Sequence, residues 1–259
     1  MSDFIQFEII NNVGVIRLNR PNKYNSFVRE MALELQAKLR QCNEDDNIRS
    51  VYLTGNGKAF CAGQDLAEAI DPNGPELSKI VSEHYNPIIK LIREIALPVV
   101  CGINGVAAGA GANIALACDL TLASSESSFI QAFSKIGLIP DSGGTFFLPR
   151  IIGVQKATAL MMLGDKVGAI EAQEMGMIYK VVDASDLETA ALKLADKLAK
   201  MPTYALALTK QALNSSMTND LDQQLAVEDE FQTKAGNSHD YQEGVNAFLE
   251  KRKPEFKGK

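Results

Sequence analysis

The chain has 259 residues, enough for one large domain, or one domain with an appendage, around a sizeable core. Hydrophobic residues make up 46 % and charged residues 22 %, which excludes a disordered chain. The net charge of -6, with no basic patch beyond a short cluster near the C-terminus, argues against nucleic acid as a partner.

Residues 4–10 and 13–19 alternate apolar and polar side chains around Asn11-Asn12, the signal of a β-hairpin. Arg20-Pro21-Asn22-Lys23 ends it. Val28, Met31, Leu35, Leu39 and Cys42 then fall on one helical face over residues 27–43, with Ser26 as the expected cap. Residues 49–54 are a short apolar run, expected to be a buried strand, and Gly55-Asn56-Gly57 breaks it. After a Pro-, Gly- and Asn-rich loop at 72–75, Leu77, Ile80, Val81, Ile88, Leu91, Ile92 and Ile95 trace a second helical face.

Residues 95–118 carry no charge and are long enough to raise the question of a membrane span. Pro98, Asn104, Asn113 and four glycines predict instead a strand over 98–103, a tight turn and a helix. Further strands are expected at 119–123 and 178–182, with a polar turn at 124–128. Leu187, Ala190, Ala191, Leu194, Leu198 and Met201 mark a helix, and the pattern beyond Pro202 is all helical. Short strands alternating with helices predict an α/β layer architecture. The expected division is a core over 1–200 and a helical region over 201–259.

The four cysteines, at 42, 61, 101 and 118, form no C-x-x-C pair, and the only histidines are His84 and His239. Neither a zinc site nor a disulfide framework is expected, and the thiols read as free and buried in a reducing cytoplasm. Both histidines stand in polar helical surroundings and read as surface residues. The start, Met1-Ser2-Asp3-Phe4, lacks the pattern of a signal peptide.

Two segments carry the chemistry. Phe60-Cys61-Ala62-Gly63-Gln64-Asp65-Leu66 and Asn104-Gly105-Val106-Ala107-Ala108-Gly109-Ala110-Gly111-Ala112-Asn113 each read as a loop that turns bare backbone N–H groups toward a ligand. Two such groups from two loops can hold one oxygen that becomes negative during a reaction, and small residues permit the close approach. Gly109-Ala110-Gly111 is not a dinucleotide fingerprint, because Ile114 stands where a third small residue is needed and no P-loop Lys follows. There is no G-x-S-x-G and no H-E-x-x-H, so strong base chemistry falls to a carboxylate.

Five stretches in order, Leu18-Asn19-Arg20-Pro21, Ala59 to Leu66, Ile103 to Asp119, Gly137-Leu138-Ile139-Pro140-Asp141-Ser142-Gly143-Gly144-Thr145 and Phe248-Leu249-Glu250-Lys251-Arg252, resemble the crotonase (enoyl-CoA hydratase/isomerase) superfamily over essentially the whole length. That resemblance implies a spiral of ββα units with a C-terminal helical trimerisation region, acting as a trimer or a dimer of trimers. It implies an acyl-CoA thioester as substrate, stabilised as its enolate, with no cofactor because CoA belongs to the substrate. The oxyanion N–H groups fall at Gln64 and Ala110, the latter preceded by Gly109. CoA is expected against Ala62, Asp65 and Leu66, with the Lys23 loop nearby, and Phe248 and Lys251 are expected to reach the CoA of a neighbouring subunit.

Hydratases of this family use two glutamates, and the matching positions here are Asn113 and Phe133, neither of which can act as a carboxylate base. One acid remains at the position where the family's double-bond isomerases carry theirs, Asp141. A C=C shift needs one base to move a proton between carbons while the enolate is held. A free Asp, with a pKa of about 3.9, is weak for this task; burial beside Phe133 is expected to raise it. From the residues alone, Pro140-Asp141-Ser142-Gly143-Gly144 is also an N-cap pattern; the family position favours the base. Within the superfamily the same stretches are similar to the isomerase branch of bacterial aerobic phenylacetate degradation, which implies conversion of a ring-epoxide acyl-CoA to its oxepin.

Overall fold

The computed structural model describes residues 3–259. The chain opens with the hairpin β1 (Ile5–Ile10) and β2 (Val13–Leu18), antiparallel in the register Ile5↔Leu18 to Ile10↔Val13. Asn11 and Asn12 both take positive φ, 49° and 65°, as a two-residue turn matched to strand twist requires. Next come α1 (Arg29–Glu44), β3 (Ser50–Gly55), β4 (Ala59–Cys61), the single turn α2 (Leu66–Ala69) and α3 (Leu77–Lys79). A π-helical stretch (Ile80–Tyr85) then runs into α4 (Asn86–Glu94). The expected single helix at 77–95 is therefore interrupted, and the wider turn includes the buried His84 and Tyr85. The chain continues through β5 (Val99–Ile103), β6 (Val106–Ala108), α5 (Ala110–Ala117), β7 (Leu120–Ser124), β8 (Ser128–Ile130), α6 (Gly144–Ile152), α7 (Val154–Leu163), β9 (Lys166–Gly168), α8 (Ala169–Glu174), β10 (Lys180–Val182) and α9 (Leu187–Ala199). Three helices, α10 (Thr203–Ser216), α11 (Leu221–Gly236) and α12 (His239–Leu249), close the sequence of elements.

Six strands form one sheet in the order β1-β2-β3-β5-β7-β10, parallel from β2 onward, and four form a second in the order β4-β6-β8-β9. Each of the pairs β3–β4, β5–β6 and β7–β8 gives one strand to each sheet and is followed by helix, which is the ββα repeat that the family resemblance implies. The second sheet is built of three-residue strands. They are too short to show a period, which is why the sequence does not reveal them.

Alternation along the large sheet sorts its side chains into two cores. Ile16, Leu18, Val51, Leu53, Val99, Cys101 and Ile103 point toward α1, α4 and α5 and join the main cluster with Met31, Leu35, Leu39, Ile88, Ile92 and Ile114. Val13, Val15, Tyr52, Val100 and Leu122 face the other way, onto Leu187, Ala191, Ala195 and Ala199 of α9. The alanines at every fourth position let that helix lie close against the sheet.

Four expectations need correction. Ser26 does not cap α1; Val28 is the cap residue, and the Arg29 N–H is taken by the Glu68 carboxylate at 2.9 Å, from a loop far along the chain. His84 is fully buried rather than on the surface, with its Nε2 3.1 Å from the Arg29 guanidinium. Residues 187–201 end as a helix at Ala199. The chain beyond Pro202 is not helical to its end, because residues 252–259 leave the helix and fold back on α12. Arg49 holds the Phe256 carbonyl at 2.6 Å, and the buried Asp240 carboxylate accepts the Lys257 and Gly258 N–H groups at 2.7 Å each. The helical region is joined to the core through the largely buried Lys210–Asp119 pair at 2.8 Å and through Arg93, which reaches Asn214. Among the described residues no helix is long and apolar enough to cross a membrane.

Candidate active site

Phe27 holds the first loop. Its N–H donates to the Gly63 carbonyl at 2.7 Å, and its own carbonyl accepts the Asp65 N–H at 2.8 Å. In this parallel bridge the residue between, Gln64, turns its own N–H to the opposite side. The second loop is the β6–α5 junction. Ala110 is the first residue of α5, so its N–H is one of the donors a helix start leaves without an internal partner. The two loops touch at this point: a Cβ on Gly63 would stand 3.5 Å from the Ala110 nitrogen and 3.1 Å from the Ala108 carbonyl.

Two glycines make that contact possible. Gly109 has φ 54° and ψ -127°, a conformation L-residues avoid, and it turns the strand abruptly into the helix. At Gly111 a Cβ would lie 2.4 Å from the Cys61 carbonyl and 2.8 Å from its sulfur, so any side chain there drives the loops apart. Burial pushes the Cys61 thiol up to about 12, which removes it as a nucleophile at neutral pH. Phe133 is 7 % exposed, and its ring lies 3.7 Å from the position a Gly109 Cβ would occupy, an apolar wall against the same backbone.

The Gln64 side chain is gripped at both ends. Its Nε2 donates to Glu68 at 2.7 Å, and its Oε1 accepts the buried Tyr85 hydroxyl at 2.9 Å. Glu68 and Tyr85 escape a sequence reading. Glu68 sits four residues after Gln64 with nothing to mark it, and Tyr85 falls on an apolar helical face where it reads as core. Burial first, then the negative charge of neighbours including Asp141 and Glu68, raises the Tyr85 phenol well above its usual range.

Asp141 lies in the turn before α6, partly buried. It is not a helix cap: Gly143 occupies that place, and no side chain caps the helix. Its carboxylate accepts the Ser142 hydroxyl at 2.8 Å and meets no cation, and burial, opposed by that bond and by its own N–H, raises its pKa. Asn113 is fully buried and donates its amide to the Asp141 carbonyl at 2.8 Å; Gln131 donates in turn to Asn113 at 2.8 Å. Exposed apolar side chains in this region of the sequence include Leu66 (52 %), after the first loop, and Ile139 (81 %), two residues before Asp141.

The same stretch of chain brings the other expected residues near. The Tyr24 carbonyl accepts the Ala62 N–H at 2.9 Å, so the exposed Lys23 lies in the loop directly beside Ala62. The Asp65 carboxylate is engaged by Arg20 at 3.0 Å and by the Ala67 N–H at 3.0 Å, where it caps α2. Phe248 and Lys251 are not part of this cluster within one chain. Phe248 is 83 % exposed on α12, and Lys251 follows in a turn at φ 57°. Among the described residues no group of His, Cys, Asp and Glu is arranged to hold a metal.

A family model described as enoyl-CoA hydratase/isomerase matches residues 8–259. The chain belongs to the enoyl-CoA hydratase/isomerase family. It is thus an enzyme that acts on acyl-CoA, and the expectation of an isomerase stands. The enzyme is 48 % identical, over the full length of both chains, to the 1,2-epoxyphenylacetyl-CoA isomerase of Escherichia coli. It is 42 % identical, over 98 % of each chain, to a "probable enoyl-CoA hydratase" of Rhodobacter capsulatus. A crystal structure of an enoyl-CoA hydratase from Bacillus anthracis superposes with a TM-score of 0.92 at 35 % identity, covering 99 % of this enzyme and 100 % of that chain.

Proposed function

We propose that the enzyme shifts C=C bonds in acyl-CoA thioesters by way of an enolate, and that its substrate is ring-1,2-epoxyphenylacetyl-CoA, converted to oxepin-CoA. The thioester oxygen lies between the Gln64 and Ala110 N–H groups. The Asp141 carboxylate removes a proton from the carbon next to the thioester carbonyl. The electron pair moves onto the thioester oxygen, where the two N–H groups hold it. On collapse of the enolate the same proton is delivered to a different carbon, so nothing is added and nothing is lost. In the ring-epoxide substrate this proton movement accompanies opening of the epoxide and ring expansion.

One observation carries this reading: the half-buried Asp141, whose carbonyl is bonded to Asn113 of the helix that Ala110 opens, has a carboxylate that meets no cation among the described residues, and burial raises its pKa. A carboxylate so placed keeps its affinity for a proton. Asn113 and Phe133, at the positions of the hydratase acids, supply nothing to activate water, and the Phe133 ring dries that wall. The 48 % identity to the E. coli isomerase supports the ring-epoxide substrate. Lys23, Ala62, Asp65 and Leu66 form the CoA side of the cleft in this reading. The exposed apolar residues of α10–α12, such as Leu213, Leu225, Phe248 and Leu249, support a homo-oligomer, a trimer or dimer of trimers, in which Phe248 and Lys251 serve a neighbour's site. The four buried free thiols and the acidic balance suit a cytoplasmic enzyme without nucleic-acid partners.

The test is a panel of thioesters: ring-epoxide phenylacetyl-CoA, a 3-enoyl-CoA and crotonyl-CoA. The reading requires turnover of the first, bond migration in the second and no water uptake by the third. Preferred hydration of crotonyl-CoA contradicts it. Binding of all three without turnover or proton exchange identifies a non-catalytic acyl-CoA-binding protein.

A further inference from the structure

The peptide that carries Asp141 is held from beneath by a relay of two buried amides. The Asp141 carbonyl can only accept, so Asn113 must present Nδ2 to it; Asn113 Oδ1 then faces Gln131, which must present Nε2. The Gln131 oxygen is left buried with no partner. The turn that the relay supports is strained. Ser142 has φ 51° and Gly143 φ 73°, two left-handed residues in succession, the first with a side chain. Ser142 is also the residue whose hydroxyl holds the Asp141 carboxylate. Gly144, the next residue, packs on Asn113 so closely that a Cβ would stand 2.4 Å from its amide nitrogen.

We propose that Asn113, oriented by Gln131, is a positioning residue that holds the strained 141–143 turn in the conformation presenting the Asp141 carboxylate to the cleft. This rests on the reading of Asp141 as the base. It also explains what an amide does where a hydratase would place a water-activating acid. A carboxylate at 113 would set an oxygen against the Asp141 carbonyl, so the same substitution that removes hydration chemistry secures the isomerisation base.

The test is a double-mutant cycle with turnover, KM and pH profile as readouts, and Asp141→Asn in the same series. Asn113→Ala is expected to lower kcat by about 10–100-fold with KM within about twofold, since misplacing a reacting group by ~1 Å has effects of this size. The acidic limb of its kcat profile should move down toward the ~3.9 of a free Asp as the carboxylate relaxes into water, a change that a merely structural role would not produce. Gly144→Ala should harm the native enzyme by displacing the amide, yet add little in the Asn113→Ala background, where the space is empty. Full turnover in a folded Asn113→Ala enzyme, or independent multiplication of the two effects, overturns the proposal. If Asn113→Ala does not fold, Gln131→Leu reads the same relay, and unchanged kcat there also overturns it. If Asp141→Asn is inactive while Asn113→Ala is not impaired, only the positioning role falls; if Asp141→Asn is active, the base assignment itself falls.

Discussion

Asp65 and Asp141 are carboxylates in two different loops, and their surroundings drive their pKa values in opposite directions. Burial pushes the Asp65 carboxyl up, but Arg20, the Ala67 N–H and the nearby Lys23 outweigh it, and its pKa is lowered. At Asp141 burial outweighs the Ser142 hydroxyl and the residue's own N–H, and its pKa is raised. The first carboxylate spends its charge on structure, capping α2 and fastening the Arg20 loop. The second has only the Ser142 hydroxyl and its own N–H against the cost of burial, and so holds a proton more readily. Two residues of one type thus titrate in opposite directions through their surroundings, which is the contrast the proposed roles rest on.

The sharpest way to break this contrast is to neutralise each acid. Asp141→Asn is expected to lower turnover by about 10²–10⁴-fold, the usual contribution of a general base, while binding of a CoA ester persists by calorimetry. Gly109→Ala leaves both acids in place but forces the Ala110 N–H out of position; kcat should fall by roughly 10²-fold, as when one oxyanion donor is lost, with a smaller change in KM. Asp65→Asn keeps an oxygen that can cap α2 but removes the ion pair with Arg20, lowering stability by up to about 1 kcal/mol in denaturant titration, with turnover held within a few-fold.

The pH dependence of stability separates the acids further. Asp65 has a lowered pKa, so the stability it contributes is present above its unfolded value and is lost as pH falls through the folded one. Asp141 has a raised pKa, so the native state binds its proton more readily than the unfolded chain, and stability falls as pH rises from the unfolded value through the raised one. Asp141→Asn should therefore raise the melting temperature at neutral pH while abolishing activity, and Asp65→Asn should lower it. In the same window the kcat/KM of the native enzyme should be lost on the acid side at a pH above the ordinary Asp range.

Much of this arrangement is legible in the residues. The hairpin announces itself through Asn11-Asn12, and α1, α4 and α9 through apolar periodicity. The two glycine-bearing loops reveal themselves because only small residues allow backbone to approach backbone so closely. The contrast between the acids is not legible, because both stand in short polar turns. Pro140-Asp141-Ser142 looks like a cap, and only the folded chain shows Gly143 in that place. Arg20 meets Asp65 from 45 residues away, and Glu68 reaches the start of α1 from 39 residues away. Such long-range pairings carry no local period. Tyr85 shares the apolar face of Val81, Ile88 and Ile92, but nothing local tells that its hydroxyl meets Gln64 from 21 residues away.

The most direct measurement is solvent-deuterium incorporation into a bound acyl-CoA thioester, followed in D₂O by mass spectrometry for the native enzyme and for Asp141→Asn. The account predicts exchange at the carbon beside the thioester carbonyl in the native enzyme and its loss in the variant, with the thioester still bound. Exchange at the native rate in Asp141→Asn would show that another group moves the proton, and would contradict the account.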